Sequence, residues 1–206
     1  KWLCAEGITH CFLATPLAEA LLQTADVQNL PLECLLVGGD VLKFSGNAAL
    51  PFRVVNHYGP TETTVVATSA FVPIGETLPP IGLPICAVTA FVGEMPAVGA
   101  RSGHTGELSL GGVAVARGYL NDPRLTAAKF LPDPDGEAGA RRYNTGDVVQ
   151  VTHDRQLRFL ERSDAQLKIR GIRIEPAEVE RRLLEDRRVA AAAVVKPNTS
   201  PDLLVA

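Results

Sequence analysis

The sequence has 206 residues, 46% of them hydrophobic and 21% charged, with a formal net charge of −3. Such a chain buries an ordinary core without disulfides. Its slight acidity gives no electrostatic pull toward nucleic acid or an anionic membrane, and its longest apolar runs are far too short to span a bilayer.

Thr9–Ala14 reads as a buried strand, followed by a helix that Pro16 opens, with Leu17, Ala20, Leu21 and Leu22 as its apolar face. Leu32–Val37, ended by Gly38-Gly39, and Arg53–Asn56 are two more strands, so the start of the chain reads as the edge of a parallel α/β layer. After Thr61 the texture changes. Val65–Val72, Ala87–Val92 and Gly106–Leu110 are short strands between Pro and Gly, which predicts a small, mostly antiparallel sheet or barrel. Leu125–Leu131 is predicted as a short helix closed by Pro132, and Asp133–Arg141 as a loop. Val148–Val151 and Leu157–Leu160 form a hairpin around Asp154-Arg155. Gln166–Ile174 alternates, with Leu167, Ile169 and Ile172 on one side and Lys168 and Arg170 on the other. Pro176 opens a helix to about Asp186 with Val179 and Leu183 on one face, and Val189–Val195 is a further strand.

The four cysteines, Cys4, Cys11, Cys34 and Cys86, make no C-x-x-C pair, and no histidine stands at metal-ligand spacing from them. They read as reduced, mostly buried thiols of a cytoplasmic protein. Lys1–Glu6 carries no secretory pattern. Both ends run straight into apolar stretches, so the sequence is expected to be an internal piece of a longer chain.

Asn56–Thr64 reads NHYGPTETT and places a ring, a tight turn, a hydroxyl and a carboxylate at a strand end, where α/β proteins hold ligands. On its own it serves equally as a ligand loop or as a surface β-turn. Three further segments follow in order: GELSLGGVAVARGYL at 106–120, RYNTGDV at 142–148 and LERSDAQLKIRGIRIE at 160–175. Together with Asn56–Thr64 they closely resemble the ordered motifs of nonribosomal peptide synthetase adenylation domains, members of the acyl-adenylate-forming enzyme superfamily. The likeness covers nearly the whole chain.

That resemblance implies activation of an amino acid with ATP to an aminoacyl-adenylate, then transfer to a phosphopantetheine thiol on a carrier protein. It implies a nucleotide site drawn from Gly38, Gly39, Asn56, Tyr58, Gly59, Thr61, Asp147 and Arg162. Tyr58 would stack on adenine, Thr61 contact the α-phosphate, Glu62 hold Mg²⁺, Asp147 accept from both ribose hydroxyls, and Arg162 touch ribose or phosphate. Asp164 would be a hinge, and Lys168 and Gly171 would sit on the hairpin used in the thioester step. Catalysis would rest on Thr61, Glu62 and Lys168. From the residues alone, Asp147 equally caps a turn, and Arg162 and Lys168 equally form a solvated basic face. Arg117 and Glu107 read as structural.

The implied amino-acid pocket is lined by Leu13, Leu36, Gly38, His57, Val65 and Val66. Its apolar walls suit an aliphatic, leucine-like side chain. The family's phosphate loop and the aspartate that grips the substrate amino group would precede Lys1, and its C-terminal catalytic lysine would follow Ala206. These 206 residues alone are therefore expected to be inactive. Within the motifs, Glu161 stands where the family has Gly, Asn144 where it has a basic residue, and Arg155 where it has Gly. The alternatives are an acyl-CoA or aryl-acid ligase of the same superfamily, or a degenerate docking module without catalysis. The expected partners are a peptidyl carrier protein and a condensation domain in the same polypeptide, with no nucleic acid and no membrane. The expected fold is α/β with α+β parts. Residues 1–163 would be the C-terminal part of a large subdomain, an α/β layer to about 60 and a β-rich part from about 61. Residues 164–206 would begin a small mobile subdomain, with the ATP site at the seam.

Overall fold

The computed structural model describes residues 1–43, 50–73, 75–169, 171–197 and 203–206. The chain divides into two compact units, Lys1–Ser163 and Asp164–Ala206. Among the described residues no helix is long and apolar enough to cross a membrane.

The first unit opens with a single helical turn, α1 (Trp2–Ala5), then β1 (His10–Ala14), α2 (Thr15–Leu22), β2 (Cys34–Gly38) and β3 (Arg53–Tyr58). These three strands pair in parallel, β1 to β2 to β3. Two more strands, β4 (Thr68–Phe71) and β5 (Leu83–Pro84), continue the same sheet antiparallel. The expected change to a separate antiparallel sheet therefore comes later than Thr61. It begins with β6 (Val88–Val92), β7 (Met95–Pro96) and β8 (Thr105–Gly112), and resumes after α3 (Pro123–Lys129) with β9 (Phe130–Pro132), β10 (Arg141–Val151) and β11 (Leu157–Arg162). Its order is β11-β10-β8-β6-β7, with β9 on β10.

Each sheet covers its own core. Side chains alternate faces along a strand, so β1, β2 and β3 send Cys11, Leu13, Leu35, Val37 and Val54 to one face. There they meet Ala18, Leu21 and Leu22 of α2. Helical spacing selects Ala18 with Leu21 and Leu22 for that contact, so Leu17 and Ala20, expected on the apolar face, are exposed. The other face of β1 is open: Phe12 is 51% exposed, and β1 is thus not the buried strand its apolar letters suggest. The second core gathers Val92, Leu108, Leu110, Val149, Val151 and Leu157 from successive strands of the antiparallel sheet.

Other expectations change in detail. The short helix starts at Pro123, which fits the first helical turn, and Asp122 caps it through Leu125 N–H at 2.9 Å. Phe130–Pro132 then pairs with β10 and is a strand rather than the end of the helix. Glu161, where the family has Gly, lies in extended β11 opposite Val148 and takes no left-handed conformation. Asn144 accepts from Ser109 Oγ at 2.8 Å across β8 and β10, a use for an uncharged side chain at that position. Arg155 does take up φ +67° in the β10–β11 turn. Its Nη1 donates to Ala100 O at 2.8 Å. All four cysteines are free, two exposed and two partly buried, against the expectation of mostly buried thiols.

The second unit holds a hairpin, β12 (Leu167–Ile169) with β13 (Ile172–Ile174), and α4 (Pro176–Leu183). Arg170, expected on its basic side, lies outside the described residues, and Ile172 is 66% exposed rather than packed with Leu167. Val189–Val195 is not the expected strand. Among the described residues Val195 alone of this run pairs, through an isolated bridge to Val205, and Val194 N–H is held by Glu180 Oε1 at 2.8 Å.

Candidate functional site

The site begins where β3 ends. Tyr58-Gly59-Pro60 leads into a tight turn, Thr61–Thr63, and Ala67 N–H then returns to Tyr58 O at 2.8 Å. Gly59 is required there: a Cβ would lie 2.6 Å from Val65 O and 2.7 Å from Ala67 N. The loop closes through two successive left-handed residues, Thr64 (φ 60°) and Val65 (φ 71°). A β-branched residue in that region is strained, and such strain collects at ligand-holding loops. It leaves Val65 66% exposed. Thr61 is exposed, whereas Glu62 is buried at 6%.

Asp147 comes from β10, 89 residues after Tyr58, and lies beside it. Tyr58 OH donates to Asp147 Oδ2 at 2.5 Å, and Arg162 Nη1 donates to Asp147 Oδ1 at 2.5 Å. Arg162 also donates to Thr145 O at 3.1 Å. The pair is well buried, with the Arg162 and Asp147 side chains 13% and 6% exposed. Burial, together with the Asp147 charge and hydrogen bond, holds the Tyr58 phenol well above its usual range.

The local fold places Asp147 with care. Register between β8 and β10 shifts between Asn144 and Val148, and the Gly146 turn in that bulge is fastened on three sides. Thr145 Oγ1 donates to Leu108 O at 2.7 Å and accepts from Asp147 N at 3.0 Å. Glu107 Oε1 accepts from Gly146 N at 3.1 Å, and Ser163 N–H and Oγ both donate to Gly146 O. Glu62 is held in its own way. Tyr119 OH donates to Glu62 Oε1 at 2.7 Å, and Ala116 N–H donates to Glu62 O at 2.8 Å.

Beyond the turn, the open face of the parallel sheet carries Phe12, Leu36, Gly38, Val55 and His57, matched across the strands by register. Gly38 is buried, and a Cβ there would stand 2.9 Å from His57 O and 3.5 Å from Phe12 Cε2. The Gly38-Gly39-Asp40 turn is tied to α2 by Thr15 Oγ1, which donates to Asp40 O and accepts from Asp40 N, each at 3.2 Å. Burial lowers the His57 pKa, so the ring is neutral at pH 7.

One expected site residue is corrected. Leu13 points to the opposite face and packs in the core with α2, so it is not a wall beside Leu36, Gly38 and His57. The alternation of β1 puts Phe12 there. Asn56 is buried, and its Nδ2 donates to Pro80 O at 2.9 Å, a bond that anchors the loop before β5. The first unit therefore brings together Tyr58, Gly59, Thr61, Glu62, Asp147 and Arg162, with Leu36, Gly38, Gly39 and His57 on the adjoining strand ends and Val65 and Val66 on the loop. Asp164, Lys168 and Gly171 belong to the second unit. There Asp164 Oδ1 accepts from Gln166 N at 3.2 Å, Lys168 O accepts from Lys196 Nζ at 2.7 Å, and Gly171 turns the hairpin at φ +79°. Phe12, Tyr119 and Thr145 are not among the residues the sequence singles out. Strand alternation points to Phe12 once the face is known, but Tyr119 and Thr145 reach the site through bonds to Glu62 and Leu108, 57 and 37 residues away.

Among the described residues no group of three or more His, Cys, Asp or Glu gathers to hold a metal ion. Glu62 instead offers one buried carboxylate beside the turn, a donor set that fits Mg²⁺ carried largely by a nucleotide, since that ion takes one or two carboxylates plus phosphates and waters.

Comparison with known proteins gives the same family throughout. Residues 1–120 match the model of the AMP-binding enzyme family. A linear gramicidin synthase polypeptide of Brevibacillus parabrevis is 44% identical over 198 residues, covering 94% of this chain and 4% of that protein. Among solved structures, an artificially fused adenylation-PCP di-domain NRPS from Klebsiella oxytoca superposes with a TM-score of 0.81 at 27% identity, over 94% of this chain and 37% of that one. The Vibrio cholerae adenylation domain AlmE, in complex with glycyl-adenosine-5'-phosphate, does so with a TM-score of 0.81 at 26% identity, over 99% of this chain and 41% of that one. The chain thus spans a small part of its curated relative and less than half of these solved structures. With the family model matched over residues 1–120 of 206, the chain belongs to the AMP-binding enzyme family.

Proposed function

We propose that this chain is part of an adenylation domain of a nonribosomal peptide synthetase, which joins an amino acid to AMP and passes it to a carrier-protein thiol. One observation carries the reading. Three motifs far apart in sequence meet at a single carboxylate, Asp147, held between Tyr58 OH and Arg162 Nη1 at 2.5 Å each, with the buried Glu62 on the adjoining turn.

In this reading the Asp147 carboxylate has about four lone-pair sites, two of which serve Tyr58 and Arg162, and the other two accept the ribose hydroxyls. The Tyr58 ring gives adenine a face to stack on. Exposed Thr61 offers its hydroxyl to the α-phosphate, and Glu62 holds Mg²⁺ carried by ATP. When bound, that ion neutralises phosphate charge as the substrate carboxylate attacks the α-phosphorus. The C–O–P bond forms as pyrophosphate leaves with the electrons of the broken P–O bond. No protein nucleophile takes part, so positioning and charge neutralisation carry the rate. In the second half, the phosphopantetheine thiol attacks the acyl carbon and AMP leaves. Asp164 as hinge and Lys168 and Gly171 on their hairpin serve that step. Residues from 164 onward begin the smaller subdomain.

The substrate side chain would lie over Phe12, Leu36, Gly38 and His57, with Val65 and Val66 from the loop. Phe12, Leu36 and the valines are apolar and burial lowers the His57 pKa, so these side chains offer a charged substrate no counter-charge. An aliphatic, leucine-like amino acid fits best. A carrier protein, a condensation domain in the same polypeptide and a cytoplasmic setting accompany this proposal.

The test is amino-acid-dependent ATP–pyrophosphate exchange by the full-length protein across the amino-acid panel. Exchange with one or a few aliphatic amino acids is expected, with a loss of at least about a hundredfold in Asp147→Ala and Glu62→Ala. Exchange with aryl or fatty acids alone, or with none, sinks the proposal.

A further inference from the structure

The segment between β8 and α3 has no regular structure of its own, yet it is fixed to the Tyr58–Val65 loop at three points. Thr64 Oγ1 donates to Ala114 O at 2.9 Å, Ala116 N–H donates to Glu62 O at 2.8 Å, and Tyr119 OH donates to Glu62 Oε1 at 2.7 Å. The first bond holds the Thr64 hydroxyl and the second the Glu62 backbone. The third holds the carboxylate itself.

Tyr119 is firmly seated. Its N–H donates to Thr126 Oγ1 at 2.9 Å, in α3. Its ring meets Phe130 edge-on, centroids 5.4 Å apart at 73°, and Phe130 packs on Tyr143 at 5.1 Å. Phe130 and Tyr143 are 5% and 1% exposed, and Tyr143 OH stands 3.4 Å from Tyr119 OH. Two buried rings therefore fix where the Tyr119 hydroxyl points. A glutamate side chain has several rotatable bonds and little intrinsic order. A fixed donor on one oxygen restricts the rotation of the carboxylate and aims its other lone pairs.

We propose that Tyr119 is a positioning residue for Glu62, setting the carboxylate orientation in which Glu62 holds a nucleotide-bound divalent cation. The proposal rests on the assignment of Glu62 to that cation. A hydrogen bond from a neutral donor to a charged acceptor corresponds to about a tenfold effect on binding. Tyr119→Phe keeps the ring contacts and the backbone bond and removes only the hydroxyl.

The experiment measures Mn²⁺ binding to the full-length protein with a non-hydrolysable ATP analogue, reading free Mn²⁺ by electron paramagnetic resonance. Mn²⁺ is the probe for Mg²⁺, and no turnover is needed. Glu62→Gln is expected to abolish the protein-dependent part of Mn²⁺ affinity, and Tyr119→Phe to weaken it about tenfold. Wild-type affinity in Tyr119→Phe, with Glu62→Gln impaired, overturns the positioning role and leaves the Glu62 assignment standing. Wild-type affinity in Glu62→Gln overturns the assignment and the role together. A second pair of variants keeps the proposal exposed if Tyr119→Phe does not fold. p-Aminophenylalanine at position 119 keeps the ring and a donor at the same place, whereas p-methylphenylalanine has the same volume and no donor. Mn²⁺ affinity should stay within a few-fold of wild type in the first and fall about tenfold in the second. Equal affinities in the two overturn the proposal, since a merely structural tyrosine needs only the volume.

Discussion

The Tyr58 phenol shares a carboxylate with Arg162, and its environment resists ionisation. Burial and the Asp147 charge both raise its pKa above the ordinary phenol value of about 10. The sign of the consequence follows from proton counting. Between that ordinary value and the raised folded one, the unfolded chain releases the Tyr58 proton while the folded chain keeps it. The contribution of Tyr58 to stability is therefore complete below about pH 10 and is lost as pH rises through the folded value. Tyr58→Phe removes the bond to Asp147 and should cost about 1.5–3 kcal/mol at pH 8, as for a hydrogen bond to a charged group. The gap between the two proteins should narrow as pH is raised from 9 to 11, a range set by the phenol value near 10. Chemical denaturation of both across that range checks it, and a constant gap would mean that Tyr58 is not held neutral by the fold.

Elements meet at one glycine in particular. Ile81 N–H and Gly82 N–H both donate to Leu157 O, and Leu157 N–H donates to Gly82 O at 2.9 Å, stitching the loop before β5 to the start of β11. The next residue, Leu83, pairs with Ser69 of β4. Gly82 has φ +88°, and a Cβ would fall 1.9 Å from Ser69 O. Gly82→Ala should therefore separate the two sheets locally and cost about 4 kcal/mol, as severe backbone strain does. Gly103 has φ +84° but open space around a Cβ, so Gly103→Ala should cost only about 1 kcal/mol, the left-handed penalty alone. Melting temperatures of the two variants separate these effects, and equal losses would contradict the close packing at Gly82.

At this scale, too, the reach of the sequence is clearest. The parallel strands, the turn at Tyr58 and the Asp154-Arg155 hairpin are legible because each follows from local letters. Phe12 and Leu13 are not, because alternation fixes a face only once the partner strands are known, and a slip of one residue reverses it. Tyr119 escapes because its partner, Glu62, lies 57 residues away. Val189–Val195 misleads for the same reason: β propensity describes a half-buried surface and supplies no neighbour to make one.

The boundary between the two compact units falls between Ser163 and Asp164, one residue after the arginine that grips Asp147. In the proposed cycle, that placement would make the two half-reactions separable by a backbone change. Ser163 is anchored to Gly146 O through its N–H at 2.8 Å and its hydroxyl at 3.1 Å, so the chain is fixed up to that point. Beyond it, Asp164 is exposed, and its Oδ1 accepts a local bond from Gln166 N–H at 3.2 Å. A hinge needs free rotation about φ at such a residue, and proline fixes φ near −65°. If Asp164 is the hinge of the proposed cycle, Asp164→Pro confines the second unit to one orientation while leaving Tyr58, Glu62, Asp147 and Arg162 untouched. Exchange of pyrophosphate into ATP should then stay within a few-fold of wild type, or fall if the fixed orientation is the other one. Transfer to the carrier thiol should move in the opposite sense, by about tenfold or more, as for a blocked conformational step. Rapid-quench measurement of the adenylate and of the loaded carrier, on one preparation, gives both rates. Equal losses in the two would mean that position 164 supports the fold and does not time the reaction, and the hinge would have to be sought elsewhere in the second unit.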